Sequence, residues 1–253
     1  MRNIITDTNI WYSITNEEIA DLFEKGYRLV ISSIILNEIY TSRNLYLNLK
    51  SFEAVKVAMS NILKNQNYIK FIDLNPLEFI LSNIDPQIEP STNSKFFLDR
   101  FKEILNANFG TLTDKDIHRG DISGLTTFIN ETSVKYKEEI KTNSINFKSC
   151  ETIKSTESLI KIYVNDNLQQ LNKGLPILVD LDYDKNGFFI IAFDELLREL
   201  SRSEQKLVDN DWVDIFNMAY VGKNDLYWTK EKSKQRLANN SKTEHFLYEN
   251  SYS

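Results

Sequence analysis

The sequence is poor in the residues that build disulfides, histidine metal sites and nucleophilic triads. Among its 253 residues there is one cysteine and there are two histidines. Cys150 has no second cysteine with which to form an internal disulfide. His118 and His245 lie far apart in the chain, so a zinc site built from histidines or a Ser-His-Asp triad is poorly supplied. Any bound metal is therefore expected to have oxygen ligands.

The chain also lacks a membrane segment and an excess of positive charge. No apolar run approaches the ~20 residues that cross a bilayer, and no leader with a long apolar core opens the chain, so we expect a cytoplasmic protein without a membrane partner. The net charge of -6 argues against a uniformly basic nucleic-acid coat, although it allows a local basic patch. Hydrophobic residues make up 42% of the chain, which predicts a folded globular protein with a substantial core.

What the sequence does contain is the stretch NIITDTNIWY at residues 3–12, in which an initial apolar run ends on Asp7. A strand buried between two layers of helix is apolar along its length, so its first charged residue marks where the backbone leaves the sheet. In open parallel sheets, ligands bind outside the carboxyl ends of the strands. An aspartate in this position could instead simply cap the helix that follows it. Both interpretations stay open at this point.

The first 75 residues alternate strands and helices, which is typical of a parallel sheet. The predicted strands are residues 3–7, 28–32 and 68–74, and the predicted helices are residues 16–25, a helix capped by Ser33, residues 52–65 and a helix opened by Pro76. Gly26 is expected to end the first long helix.

The middle of the chain reads mainly as helices, and the alternation then resumes. The predicted elements are helices at 95–108, 133–141, 151–171, 188–202, 210–220 and 231–238, a strand at 226–229 and a closing edge strand at 245–248. The sequence therefore predicts an α/β fold with a parallel sheet flanked by helices. Residues 1–84 and 206–253 would form this α/β domain, and residues 85–205 a helical insertion packed on it.

Five acidic residues from four segments are expected to meet at the carboxyl edge of this sheet. Asp7 follows the first strand, Glu38 lies early in the helix after the second, and Glu231 comes two residues beyond the fourth. Asp211 and Asp214 are three residues apart, which puts both on one face of the helix before the fourth strand. Carboxylates this close repel one another unless a cation neutralises them. Oxygen ligands in this number suit Mg²⁺ or Mn²⁺.

The stretches IITDTNIW, SSIILNEIY and DIFNMAYVGKNDLYWTKEK together resemble the PIN domain, a metal-dependent ribonuclease with a Rossmann-like parallel sheet and a quartet of acidic residues. The family's Asp-Thr-Asn after the first strand matches Asp7, Thr8 and Asn9. Its glutamate in the second helix matches Glu38. Its third acid matches Asp214, with Asp211 as a close competitor.

The fourth acidic position departs from the family pattern. The family's Thr-x-Asp after the fourth strand corresponds to Thr229, Lys230 and Glu231, with glutamate in place of aspartate. The extra methylene moves the carboxylate by roughly 1.5 Å, about one carbon–carbon bond. The fourth position is therefore expected to bind metal weakly or through water.

The resemblance implies hydrolysis of RNA phosphodiester bonds by one or two Mg²⁺ or Mn²⁺ ions held mainly by Asp7, Glu38 and Asp214. Asp211 and Glu231 would tune the site. The three side chains expected to donate hydrogen bonds to the attacking water or to the phosphate are those of Thr8, Asn9 and Thr229.

A cationic rim is the second expected element of substrate binding. Lys232 and Lys234 follow the last acidic position, and a phosphodiester substrate needs positive charge near the metal site. The alternative is an exposed helix face made soluble by its lysines.

Other functions compete with an active ribonuclease. The chain could be a PIN-fold binding or regulatory module without catalysis, it could act on DNA, and it could have an inhibitor protein or form a homo-oligomer. A haloacid-dehalogenase-like phosphotransferase needs a second aspartate where Asn9 stands. DLDYDKNG at 180–187 resembles the start of a calcium loop, but Phe193 stands where the bidentate glutamate is required, which favours a solvated turn before a helix.

Overall fold

A computed structural model describes residues 1–83, 88–112, 134, 138, 141–142, 152–170, 181–202 and 209–249. For residues 163, 165–170, 200–202 and 209–211 it describes the backbone alone. Most of the helix predicted at 133–141 and the side chain of Asp211 lie outside the described residues.

The centre of the fold is a four-stranded sheet in which every strand is parallel to its neighbours. Its strands are β1 (Arg2–Thr6), β2 (Tyr27–Ser32), β3 (Ile69–Ile72) and β4 (Leu226–Trp228), in the spatial order β3-β2-β1-β4. Ile5 pairs with Val30 on one side and with Tyr227 on the other, which makes β1 an inner strand. The predicted α/β class with a parallel sheet flanked by helices is confirmed.

Six helices follow the strands in the first part of the chain: α1 (Thr8–Trp11), α2 (Asn16–Glu24), α3 (Ser33–Tyr40), α4 (Asn44–Leu47), α5 (Leu49–Lys64) and α6 (Pro76–Ser82). Their ends follow the expected sequence signals. Thr15 and Glu18 form a reciprocal capping box at the start of α2. Gly26 has a φ of +84°, a conformation that glycine adopts without strain, and it turns the chain from α2 into β2.

Further along the described residues lie α7 (Ser94–Asn106), α8 (Thr152–Gln170), α9 (Tyr183–Arg202), α10 (Asp209–Asn217) and α11 (Lys232–Asn240). Short 3₁₀ segments occupy Gln66–Tyr68, Met218–Tyr220 and Glu244–Phe246. None of the described helices is long and apolar enough to cross a membrane.

The start of α9 differs from the prediction. The sequence predicted a solvated turn at 180–187 and a helix from residue 188, whereas the helix begins at Tyr183. Asp182 accepts the N–H of Asp184, and the buried Asn186 side chain donates to the carbonyl of Ala219 at 3.1 Å. These contacts stabilise helical backbone in a stretch whose composition alone favours a turn.

The closing edge strand predicted at 245–248 is wrong for most of its length. A 3₁₀ turn occupies Glu244–Phe246, and a single parallel bridge joins Leu247 to Tyr227. The Phe246 ring stacks on Phe188 with ring centroids 5.0 Å apart. Packing of this aromatic side chain therefore takes precedence over strand pairing in this segment.

The hydrophobic core is one continuous cluster that includes side chains from the sheet and from α8, α9 and α10. Phe188 of α9 lies 5.8 Å from Tyr227 of β4, measured between ring centroids. The buried carboxylate of Asp194 accepts the hydroxyls of Thr152 and Thr156 and pairs with Arg198 at 2.6 Å, which ties α9 to α8. Helices from the middle of the chain thus pack directly against the sheet.

Candidate active site

Asp7 is held at the carboxyl end of β1 by contacts to both of its oxygens. Its side chain is buried, and its backbone N–H donates to the carbonyl of Trp228 at 2.9 Å. Oδ1 accepts the N–H of Thr8 at 2.7 Å. Oδ2 accepts the hydroxyl of Thr229 at 2.6 Å and the amide of Asn9 at 2.8 Å. Asp7 therefore caps the short helix and also lies at the carboxyl edge of the sheet. The capping interpretation is confirmed, and ligand binding by Asp7 stays a prediction.

Glu38 is brought next to Asp7 by the helix that starts directly after β2. It is half-buried in α3, and its Oε2 accepts a short hydrogen bond from the hydroxyl of Thr8. Thr8 thus links the two acids, since its backbone N–H donates to Asp7 and its hydroxyl to Glu38.

Asp214 reaches the same place because Asn217 fixes the end of α10 against the strand ends. The Asn217 amide donates to the carbonyl of Thr6 at 3.1 Å, and its oxygen accepts the hydroxyl of Ser32 at 2.8 Å. Asn217 is fully buried, so these bonds replace its contacts with water. Sequence reasoning missed this residue, although an asparagine inside the apolar stretch DIFNMAY is a recognisable signal.

Lys234 lies inside the acidic cluster, in contrast to the exposed rim predicted for it. Its Nζ is 2.5 Å from Oδ2 of Asp214, and its side chain is 10% exposed. Lys232 is exposed, as a rim residue should be. Helical spacing predicts that Lys234 is more buried than Lys232, because Lys234 shares the buried face of α11 with Leu237 and Ala238.

Glu231 stands at the entrance to the cluster. It precedes the first residue of α11 and is exposed, and the hydroxyl of Ser233 donates to its Oε2 at 3.4 Å. Its charge still raises the pKa of Asp7, Glu38 and Asp214, so it acts on the same group of carboxylates. The backbone of Asp211 lies in α10, and its side chain is outside the described residues.

Burial and the charges of neighbouring acids raise the pKa of Asp7, Glu38 and Asp214. Burial is the largest cause for Asp7, where the charge of Glu231 adds and the hydrogen bond from Thr229 opposes. Burial raises the pKa of Glu38, and the charge of Asp7 raises it further. Burial also raises the pKa of Asp214 to about 7, with Lys234 opposing and Asp7 adding. The charge of Asp7 therefore acts on both Glu38 and Asp214.

Tyr227 lies beneath this cluster and was also missed from the sequence. Tyr227 pairs with Ile5, and Asp7 is two residues after Ile5. The side chains of Tyr227, Ile5 and Asp7 therefore lie on the same face of the sheet. Burial raises the pKa of its hydroxyl well above the usual value, and the charges of Asp7 and Asp214 add to this. Among the described residues the hydroxyl has no hydrogen-bond partner at ordinary geometry, although the Asn217 amide is near enough to lower its pKa.

The donor atoms of this cluster are carboxylate oxygens, the type that hard divalent cations prefer. Buried carboxylates in excess over basic groups are costly unless a cation compensates them, and carboxylate oxygens are the ligands that Mg²⁺ and Mn²⁺ prefer. In the described part of the chain, no three acidic, histidine or cysteine side chains are already spaced to hold one ion. The ammonium of Lys234 stands among the acids instead, as a cation supplied by the chain itself.

Fold and site together define an α/β protein with an acidic crevice at the carboxyl edge of a parallel sheet, the position where such sheets bind ligands. Comparison of the chain with protein-family models, with curated proteins and with solved structures found no match. The motifs and the geometry of the crevice are therefore the basis for inferring a function.

Proposed function

We propose that the protein is a metal-dependent endoribonuclease of the PIN-like type, which hydrolyses RNA phosphodiester bonds in the acidic crevice. The observation that carries this proposal is the meeting of three carboxylates from three separate elements. Asp7 after β1 interacts electrostatically with Glu38 in α3 and with Asp214 in α10, although 207 positions separate Asp7 from Asp214 in the sequence. Such repulsion between buried acids is hard to explain as a device for stability alone.

Each residue of the crevice has a role in this proposal. Bound Mg²⁺ or Mn²⁺ would lower the pKa of a water and neutralise charge on the phosphate. Asp7, Glu38 and Asp214 would hold the metal, and Glu231 would contribute from the entrance. The hydrogen bonds of Thr8, Asn9 and Thr229 go to the carboxylates of Asp7 and Glu38, so these three side chains orient the metal ligands.

The exposed lysines beside the crevice suit an anionic chain. Lys232 is exposed at the start of α11, and the ammonium of Lys230 is held by the hydroxyl of Ser13 at 2.6 Å. Positive charge at these points would attract the phosphates of RNA and make binding sensitive to salt.

Cleavage of a labelled single-stranded RNA in Mn²⁺, with EDTA as the negative control, tests the proposal. Asp7→Asn should abolish metal-dependent cleavage and leave the protein folded by circular dichroism. Asp99→Asn is the matched control, because it makes the same change in an exposed aspartate on α7. Full activity in Asp7→Asn would reject the proposal, and preferential cleavage of single-stranded DNA would change its substrate.

A specific observation favours a second candidate, a PIN-fold binding or regulatory module without catalysis. Lys234 fills part of the crevice with an ammonium, and Glu231 replaces the aspartate of the family pattern at an exposed position. A module of this kind would bind RNA or a partner protein without a requirement for metal. An Mn²⁺-induced rise in melting temperature that is lost in Asp7→Asn supports the nuclease, since a ligand stabilises the folded state that binds it.

A further inference from the structure

The buried lysine of the crevice, Lys234, has no role yet in the proposed chemistry. Its side chain is 10% exposed, whereas a lysine on a helix surface normally extends its ammonium into water. Lys232, two residues earlier on the same helix, is exposed and is free to meet an RNA phosphate. Burial of Lys234 argues against the direct contact with RNA that its residue type suggests.

The inward direction of Lys234 follows from the way the first turn of α11 is attached to the end of β4. The N–H of Glu231 donates to the hydroxyl of Thr229 at 3.1 Å, and the side-chain amide of Gln235 donates to the carbonyl of Thr229 at 3.1 Å. The Thr229 hydroxyl in turn donates to Asp7 at 2.6 Å. Lys234 lies between these attachments, so its stem is fixed relative to the carboxyl edge of the sheet.

The ammonium of Lys234 forms a buried ion pair with Asp214 of α10. Its Nζ is 2.5 Å from Oδ2 of Asp214, and the Asp214 side chain is 11% exposed. Water screens a pair this buried much less than a surface pair, so the ammonium holds the carboxylate in place more firmly than an exposed lysine would. Its charge also lowers the pKa of Asp7 and Glu38, which places the pair within the acidic cluster.

Other contacts also attach α11 to the fold. On its outer side, Arg236 pairs with Glu199 of α9 at 3.4 Å, and the Asn240 amide donates to the same carboxylate at 3.3 Å. On its inner side, Leu237 is buried in the core. Because a buried ion pair is often no more stabilising than apolar side chains of similar volume, stability alone does not explain a lysine at residue 234.

We propose that Lys234 is a positioning residue, whose ammonium fixes the carboxylate of Asp214 at the crevice without binding RNA itself. This inference rests on the proposed function, because it assigns a role within that same site. Asn217 fixes the end of α10, and Lys234 fixes the side chain that this helix carries. Loss of a positioning residue lowers kcat, since the reactive geometry is lost, whereas loss of uniform substrate binding raises KM.

Steady-state cleavage of a labelled single-stranded RNA, at Mn²⁺ concentrations that saturate each variant, separates these two effects. Lys234→Met keeps the apolar stem and removes the charge. We expect its kcat to fall about 10- to 100-fold, with KM for RNA within about twofold of the wild-type value. Lys234→Arg keeps a positive charge and moves it, so it should retain more of kcat than Lys234→Met.

Two substitutions on the same helix serve as controls. Lys232→Met removes an exposed lysine and should raise KM while kcat stays unchanged. Arg236→Met removes the cation of an exposed ion pair and should leave both kcat and KM unchanged. A fall in kcat at constant KM in either control would show that the effect is not specific to Lys234 and would overturn the inference.

A stability cycle in EDTA tests the pair without RNA or metal. Melting temperatures are measured for Lys234→Met, Asp214→Asn and the double variant. Lys234→Met should lower the melting temperature strongly in the wild-type background, because it leaves Asp214 buried without its partner, and much less in the Asp214→Asn background. Equal decreases in the two backgrounds would overturn the inference. A double variant that folds where Lys234→Met does not would support it.

The kinetic outcomes separate this inference from the proposed function. A raised KM with unchanged kcat in Lys234→Met would show that Lys234 binds RNA, and unchanged values of both would show that it has no role; either result overturns the inference and leaves the nuclease proposal standing. No cleavage by the wild type would reject the proposed function and this inference with it. Should Lys234→Met not fold, Lys234→Arg decides, since a lower kcat at constant KM supports the inference and a wild-type kcat overturns it.

Discussion

At the scale of single residues, the crevice is built from polar side chains that hydrogen-bond to one another or interact through their charges. Thr8, Asn9 and Thr229 were predicted to contact water or substrate, and each donates to a carboxylate. Hydrogen bonding to the charged form opposes the rise in pKa that burial causes at Asp7 and Glu38. These neutral donors therefore help to keep buried acids ionised, which metal binding requires.

The pH dependence of stability follows from Asp214. Its pKa is about 7 in the folded protein, against 3.8 for an ordinary aspartate. Between these values the folded state binds more protons than the unfolded state, so this residue makes the free energy of unfolding fall as pH rises through that window. In EDTA, the melting temperature of Asp214→Asn relative to the wild type should therefore be higher at pH 8 than at pH 5, by several degrees, since ~1 kcal/mol corresponds to about 2–4 °C. Parallel melting-temperature curves for the two proteins across this range would contradict the prediction.

Asp7→Asn should separate the charge of Asp7 from its capping contact. Asparagine keeps the oxygen that accepts the N–H of Thr8 and removes a negative charge that raises the pKa of Glu38 and Asp214. The relieved repulsion opposes the loss of the hydrogen bonds that Oδ2 accepts from Thr229 and Asn9, so we expect an unfolding free energy in EDTA within ~1 kcal/mol of the wild-type value. Scanning fluorimetry with Mn²⁺ should then show a stabilising shift for the wild type and none for Asp7→Asn. An equal shift in both proteins would mean that Asp7 is not a metal ligand.

At the scale of elements, the sequence predicted the structure best where apolar runs and capping signals agree. The two kinds of signal agree in β1, in β2 and in α2 with its capping box. The positions of Asp7 and Glu38 at the carboxyl ends of the strands could therefore be predicted. The start of α9 could not, because the buried contacts of Asn186 are tertiary and leave no local pattern. The spacing of Lys234 to Leu237 predicts that Lys234 faces inward, whereas lysine as a residue type is usually exposed to solvent.

The position of α10 depends on Asn217, and removing that side chain should disturb Asp214. Asn217→Ala leaves the Thr6 carbonyl and the Ser32 hydroxyl without this buried partner, which should cost about 1–3 kcal/mol. We also expect a smaller Mn²⁺-induced rise in melting temperature, because Asp214 is no longer held at the strand ends. Asn65→Ala is the matched control, since this buried amide directly after α5 donates to Asn16 of α2 and to the carbonyl of Asn61, and neither partner lies in the crevice. Asn65→Ala should lower the melting temperature and leave the Mn²⁺-induced shift unchanged. If the Mn²⁺-induced shifts of Asn217→Ala and Asn65→Ala are equal, Asn217 does not position Asp214.

At the scale of the whole molecule, helices from the middle of the chain complete the core beneath the crevice. Phe188 of α9 is buried between Phe246 and Tyr227, the strand residue that lies under Asp7. In the same helix Phe189 stacks on Phe216, and Phe193 makes an edge-to-face contact with Trp212. Both partners belong to α10, the helix that carries Asp214. The support for the acidic cluster thus comes from segments far apart in the sequence, and the predicted insertion contributes directly to it.

Phe188→Ala should therefore destabilise the protein as a single unit. Loss of a buried phenylalanine costs about 3–5 kcal/mol, and since the core is continuous, the strands and the middle helices should unfold together. Calorimetry and far-UV circular dichroism should both show one transition, at a melting temperature roughly 6–20 °C lower than that of the wild type by the usual scaling for a chain of this length. Phe96→Ala, at a side chain of α7 that is 37% exposed, is the control and should cause a much smaller shift. Two separate transitions, with only one of them shifted by Phe188→Ala, would show that the middle helices form an independent unit and that the crevice does not depend on them.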